Sequence, residues 1–166
     1  MSRIEELENE IKGLENRKIE LLKELEVEKQ KKIECPFKYG DKYFLLIDNG
    51  IVVDEVWEDY NFDNDVLSQG NAFEIEEEAE KERDRRILLT RFRQFRDKCN
   101  RDWKPESEKA KYYIFLEYEN LRLCVSSSMF LDSFNMFGYF KNCDDVERAI
   151  ELFGDEIKRL FVEEAK

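Results

Sequence analysis

Apolar residues recur every three or four positions along the first 32 residues. Ile4, Ile11, Lys18 and Leu25 fall at heptad position a, and Leu7, Leu14, Leu21 and Glu28 at position d. That period is the seam of a left-handed coiled coil. Glu, Leu, Lys and Ile dominate residues 2–32 and no proline interrupts them, which predicts one helix about 45 Å long at 1.5 Å per residue. Lys18 places a charge in the seam, weakening it while favouring a dimer over larger assemblies, and Gly13 costs roughly 1 kcal/mol relative to Ala. Ile19 and Leu22 widen the stripe. Such an arm has three uses: to pair with its own copy, to fold back on its own chain, or to dock on a foreign surface.

Pro36 is expected to end the helix after Cys35, with Gly40 loosening the linker. The pattern then alternates. Tyr43–Ile47, the turn Asp48-Asn49-Gly50 and Ile51–Trp57 read as a hairpin, since Asn and Gly both accept positive φ. A loop through Asp63 and Asn64 leads to the short run Asn71-Ala72-Phe73. From Glu76 to Cys99 the period is helical, with Ala79, Leu88, Phe92, Phe95 and Cys99 on one face. Beyond Pro105, Tyr112–Tyr118 and Leu121–Val125 form a second hairpin about Glu119-Asn120, and Ser126-Ser127-Ser128 weakens the pattern. Tyr139-Phe140 reads as a last short strand. Asn142 and Asp145 resemble a helix cap, Val146, Ala149, Ile150 and Phe153 supply the buried stripe, and Gly154 is expected to close that helix.

The two halves read as degenerate copies. Tyr43 to Tyr112 is 69 residues and Phe73 to Phe140 is 67, and each half runs hairpin, loop, short strand, helix. The expectation is an α+β fold: a coiled-coil-like arm at 1–34, a first unit at 38–104 and a second at 108–166, with one continuous sheet or two.

Composition narrows the function. The chain has 166 residues, 42% hydrophobic and 13% aromatic, enough for a dense core despite 41% charged residues. Forty acidic against 28 basic residues give a net charge of −12, which repels nucleic acid at long range. There is no histidine, and Cys35, Cys99, Cys124 and Cys143 show no close pairing. Histidine-based acid/base chemistry, a Cys2His2 zinc site and a disulfide scaffold therefore lose support, and the thiols suit a cytoplasmic protein. No G-x-S-x-G elbow or glycine-rich phosphate loop is present. No cofactor is expected. No run approaches 18 apolar residues, so no membrane span is expected either.

The strands rich in Tyr and Ile, Trp57, the Gly-Asn-Ala-Phe-x-x-x-Glu-Glu-Ala run at 70–79 and Tyr-Phe-x-x-x-Asp-Asp-Val-x-x-Ala-Ile-x-x-Phe-Gly at 139–154 resemble small uncharacterised accessory proteins of phages and prophages of Gram-positive bacteria. The likeness spans residues 38–161 and carries no catalytic residue. It implies an accessory product acting on a host protein or a host defence system.

Charge falls in blocks. Residues 54–80 hold eleven acids and no base, whereas 81–104 hold ten bases against four acids. The acidic block is a solvated helix start, a protein-binding surface or, through Asp59, Asp63 and Asp65, an EF-hand-like rhythm that lacks the required Gly and final Glu. As a partner surface it would use Asp54, Glu55, Trp57, Glu58, Asp59, Tyr60, Asp63 and Asp65. In the basic block, Arg86, Arg93 and Lys104 are candidates for phosphate contact. Met129, Phe130, Phe134, Met136 and Phe137 are further aromatic or thioether anchors if exposed. The leading expectation is a non-enzymatic protein that pairs or docks through Ile4, Leu7, Ile11, Leu14, Lys18, Leu21 and Leu25, as a homodimer or on a host protein. The rivals are a nucleic-acid-binding regulator using residues 81–104 and an enzyme acting on a small molecule or nucleotide signal.

Overall fold

The structure is a computed structural model that describes residues 3–31, 33–130 and 135–163. It begins with α1 (Arg3–Gln30), whose first turn carries Glu5 and Glu6 and whose last turn carries Lys29, the charge order that suits the helix dipole. The helix stops five residues short of Cys35. Lys31 is a turn residue and 33–38 have no regular structure, so the stop comes before Pro36 can impose one.

Three strands follow as β1 (Lys42–Leu46), β2 (Val52–Val56) and β3 (Ala72–Phe73), in the order β2-β1-β3 and all antiparallel to β1. The first hairpin turns on three residues. Gly50 N–H donates to the Ile47 carbonyl at 2.9 Å, Gly50 alone in the turn has positive φ (84°), and the Asn49 side chain accepts from Ile51 N–H at 3.0 Å. Asn49 thus serves as an Asx acceptor instead of taking positive φ, the arrangement of a type I turn closed by a left-handed glycine. Between β2 and β3, where a loop was expected, lies α2 (Asn61–Ser68). Phe37, Tyr43, Leu45, Trp57 and Val66 close a first core over this sheet.

After α3 (Glu76–Asn100) come β4 (Lys111–Glu117) and β5 (Arg122–Ser128), a separate two-stranded sheet. The serines do not end β5, because Ser126, Ser127 and Ser128 pair with Tyr113, Tyr112 and Lys111. Phe140 bridges to Tyr112 on the other side of β4, so the second unit repeats the order of the first, with one bridge where the first has β3. Last is α4 (Cys143–Ile157), continued by a π-helical segment, Lys158–Val162. Gly154 does not close α4. Burial of Ile157 and Leu160 beyond it holds the chain helical. Asn142 is the N-cap residue, but its amide donates to the Asp145 carboxylate at 3.0 Å instead of accepting from the backbone.

The second core gathers Ile114, Leu123, Phe137, Phe140, Val146, Ala149, Phe153, Ile157 and Leu160 together with Leu88 and Phe92 of α3. The boundary expected near residue 104 therefore does not divide the packing. α3 also contacts all three strands of the first sheet, which makes it the shared wall of both units. Arg96 fixes the approach to α4 by donating to the Phe137 carbonyl at 3.2 Å, beside Gly138 at φ +72°. A Cβ on Gly138 would stand 2.6 Å from Arg96 Nη1. Gly138→Ala is expected to lower unfolding stability by about 1–2 kcal/mol from left-handed strain and the displaced guanidinium, read as a shifted urea midpoint.

Candidate functional site

The apolar seam of α1 is uncovered. Every residue from Arg3 to Lys31 is exposed, and Ile4, Ile11, Leu14 and Leu25 keep 68, 57, 65 and 51% of their surface. Leu7 and Leu21 are likewise exposed, as are Ile19 and Leu22 beside the strict stripe. All eight seam positions, Lys18 and Glu28 included, thus lie along one solvated rod of 28 residues, about 42 Å at helical rise. Ion pairs run along it, Arg3 to Glu6, Arg17 to Glu20 and Glu24, and Lys31 to Glu28. Such exposed pairs contribute little and exchange readily.

The acidic segment splits into an inward and an outward part. Trp57 is buried, stacked on Phe37 at 5.1 Å and edge-on to Tyr43 at 5.7 Å, so it is a core residue and presents nothing to a partner. Asp63 is buried too. Its Oδ1 accepts from the Tyr43 hydroxyl at 3.1 Å, and its Oδ2 accepts from the backbone N–H of Glu58 at 3.1 Å and Tyr60 at 3.0 Å. Asp63 therefore starts α2 and ties it to β1 instead of binding a partner or, with Asp59 and Asp65, a metal. Among the described residues no three His, Cys, Asp or Glu side chains come together to hold an ion. Asp54, Glu55, Glu58, Asp59, Tyr60 and Asp65 remain exposed, and Phe62 of the same acidic stretch, 58% exposed, is one of the aromatics that face solvent although most beside strands enter the core. Ile51, just before β2, and Val56, the last residue of that edge strand, are exposed as well.

The basic helix is occupied with holding the fold. Arg86 donates to Glu82, to the Asn71 side chain at 2.7 Å and to the Gly70 carbonyl at 3.1 Å. Arg85 reaches the Leu160 carbonyl, Arg91 pairs with Glu156 at 2.9 Å, and Arg83 pairs with Asp84 and Glu80. Arg85 and Arg91 also lie over the rings of Phe161 and Phe153. A cleft of about 500 Å³ opens between the first hairpin turn and α3, with Leu46, Ile47 and Ile87 as its apolar wall, but its arginines, Arg83, Arg86 and Arg91, are those already paired. Of the phosphate-binding candidates, Arg93 and Lys104 stay exposed, and Arg86 is engaged. Met129, Phe130 and Met136 are exposed, Phe137 is in the core, and Phe134 lies outside the described residues.

Compared with protein-family models, curated proteins and solved structures, the chain matches none. No described helix is long and apolar enough to cross a membrane.

The buried Tyr43–Asp63 contact has a titration signature. Burial, and then the neighbouring Asp63, push the Tyr43 phenol from 10.0 up to about 12. A phenol that keeps its proton longer when folded contributes fully below its unfolded value and loses that contribution as pH climbs from 10 through 12. Ultraviolet titration should therefore show one tyrosine ionising about two units late. Asp63→Ala should move that late step to lower pH without returning it fully to the ordinary value, because burial remains, and cost about 2–4 kcal/mol by leaving two backbone N–H groups without their acceptor, checked by urea denaturation below pH 9.

Proposed function

We propose that the protein is a non-enzymatic binding protein. It pairs helix to helix through α1 and occludes a basic surface of a partner protein with the exposed acids and aromatics of its first unit. The observation that carries this reading is the uncovered seam. A solvated rod of this kind gains little stability by itself, since in proteins helical stability comes mostly from packing of an apolar face, and large exposed apolar stripes mark interaction sites. Asp54, Glu55, Glu58, Asp59 and Asp65, with Tyr60 and Phe62, supply a charged rim with aromatic anchors, the composition of a protein interface. Occlusion needs no reacting group, which agrees with a chain without histidine. The resemblance to phage accessory proteins supports a bacterial host protein as the partner. The engaged state of Arg86 weighs against recognition of phosphates through the basic helix.

The test is capture from a lysate of a Gram-positive bacterium with three immobilised forms: the intact protein, a seam variant (Leu7→Glu with Leu14→Glu) and a rim variant (Asp54→Asn, Glu55→Gln, Glu58→Gln and Asp59→Asn). The intact form is expected to retain a defined protein that the rim variant loses, and retention should fall as added salt shortens the screening length below about 8 Å. Retention identical in the intact and rim forms overturns the acidic surface as the recognition element.

A further inference from the structure

We propose that α1 is covered by a second copy of the same chain, parallel and in register, so that the molecule is a dimer with both α+β bodies at one end. This rests on the reading of α1 as a pairing helix and names its partner. The seam residues choose the state: Ile4 and Ile11 at a, with Leu7, Leu14 and Leu21 at d, are the combination that favours two parallel strands, and a single Lys at a favours a dimer over larger bundles.

The flanking charges choose the orientation. In a parallel, in-register pair each g residue faces the e residue five positions on in the other helix. Arg3 then meets Glu8, Glu24 meets Lys29, Arg17 meets the neutral Leu22, and Glu10 alone meets a like charge, Glu15. In the fully overlapped antiparallel pair, g faces g and e faces e. Arg3 then meets Lys31, Glu10 meets Glu24, Arg17 meets Arg17 and Glu15 meets Glu15, every charged pair repulsive. The antiparallel seam also sets Lys18 against Leu14 and Glu28 against Ile4, burying a charge against an apolar side chain, whereas the parallel seam sets Lys18 beside Lys18 and, in its last turn, Glu28 beside Glu28, and both pairs turn their charged ends outward along flexible stems.

Two native features report the geometry. Cys35 is exposed and follows Gln30 by five positions. Parallel pairing brings two Cys35 thiols to one end, and antiparallel pairing keeps them about 40 Å apart. Glu15 is the second reporter: Glu15→Lys turns the one repulsive flanking contact of the parallel pair, Glu10 to residue 15, into an attractive one, but leaves the antiparallel 15-to-15 contact repulsive.

Sedimentation equilibrium of the purified intact chain up to about 200 μM should give a monomer–dimer equilibrium on the order of 10 μM. Glu15→Lys should tighten it about fivefold, and Leu14→Glu should abolish it while leaving the urea midpoint of the body unchanged. Mild oxidation should yield a dimer joined Cys35 to Cys35 by peptide mass mapping. A monomer at every concentration overturns the second copy as occupant. A dimer that lacks the Cys35 link, or ignores Glu15→Lys, overturns the parallel arrangement. Purified protein contains no foreign partner, so these outcomes stand apart from the lysate capture and its rim variant.

Discussion

The body depends on the ring of Phe92. It lies 4.8 Å from the Phe137 ring, 5.8 Å from Phe140 and 5.4 Å from Phe153, and so joins α3, the segment after β5, the bridge to β4 and α4 at one buried point. Full burial of such a side chain contributes roughly 2–3 kcal/mol, and ring pairs in tilted and edge-on geometry add to it. With that stripe facing the second core, the remaining faces of α3 turn their arginines outward, where they bind the carbonyls of Leu160, Phe137 and Gly70 and the carboxylate of Glu156. The basic block is the outer surface of a structural helix that two units share.

That dependence explains what could be read in the chain and what could not. Periodicity revealed α1, α3, α4 and both hairpins, because each has a run long enough to repeat. The eight residues of α2 hold only Phe62, Val66 and Leu67 as apolar markers, and its defining contact, Asp63 with Tyr43, spans 20 positions. Local composition there speaks for a loop, and long-range hydrogen bonding overrides it. Trp57 stands among the partner-facing candidates because its acidic neighbours suggest a surface, and its packing against Phe37 and Tyr43 brings it inside. The serines of β5 are held by the ladder opposite Tyr112 and Tyr113, which no propensity records. Gly154 fails as a stop signal because buried residues on its far side outweigh the roughly 1 kcal/mol that glycine costs within a helix.

The two units keep one strand order while diverging at the same place. Phe44 pairs with Phe73 in the first, and Tyr112 pairs with Phe140 in the second. The first inserts α2 before that pairing, and α2 carries Asp65 and Phe62 outward, following Asp54 and Glu55 of β2 and Glu58 and Asp59 of the link between them. The chemistry that distinguishes the halves therefore resides in β2 and the segment that follows it, and within α2 only Asp63 and Val66 are buried.

What remains uncommitted after the fold is built is an apolar stripe on the arm and an acidic rim on the first unit. The two are of opposite physical kinds. The stripe gains from removal of water and is nearly indifferent to salt, whereas the rim acts through screened charge. In the proposed dimer a pairing element of the first kind would multiply a recognition element of the second, since two rims tethered at one end raise the effective concentration of the second contact once the first has formed. A seam with one lysine and under four full heptads is weak by itself, and weakness suits the proposed role: pairing would become appreciable where a partner with two basic sites holds both copies, so that binding and dimerisation would reinforce each other.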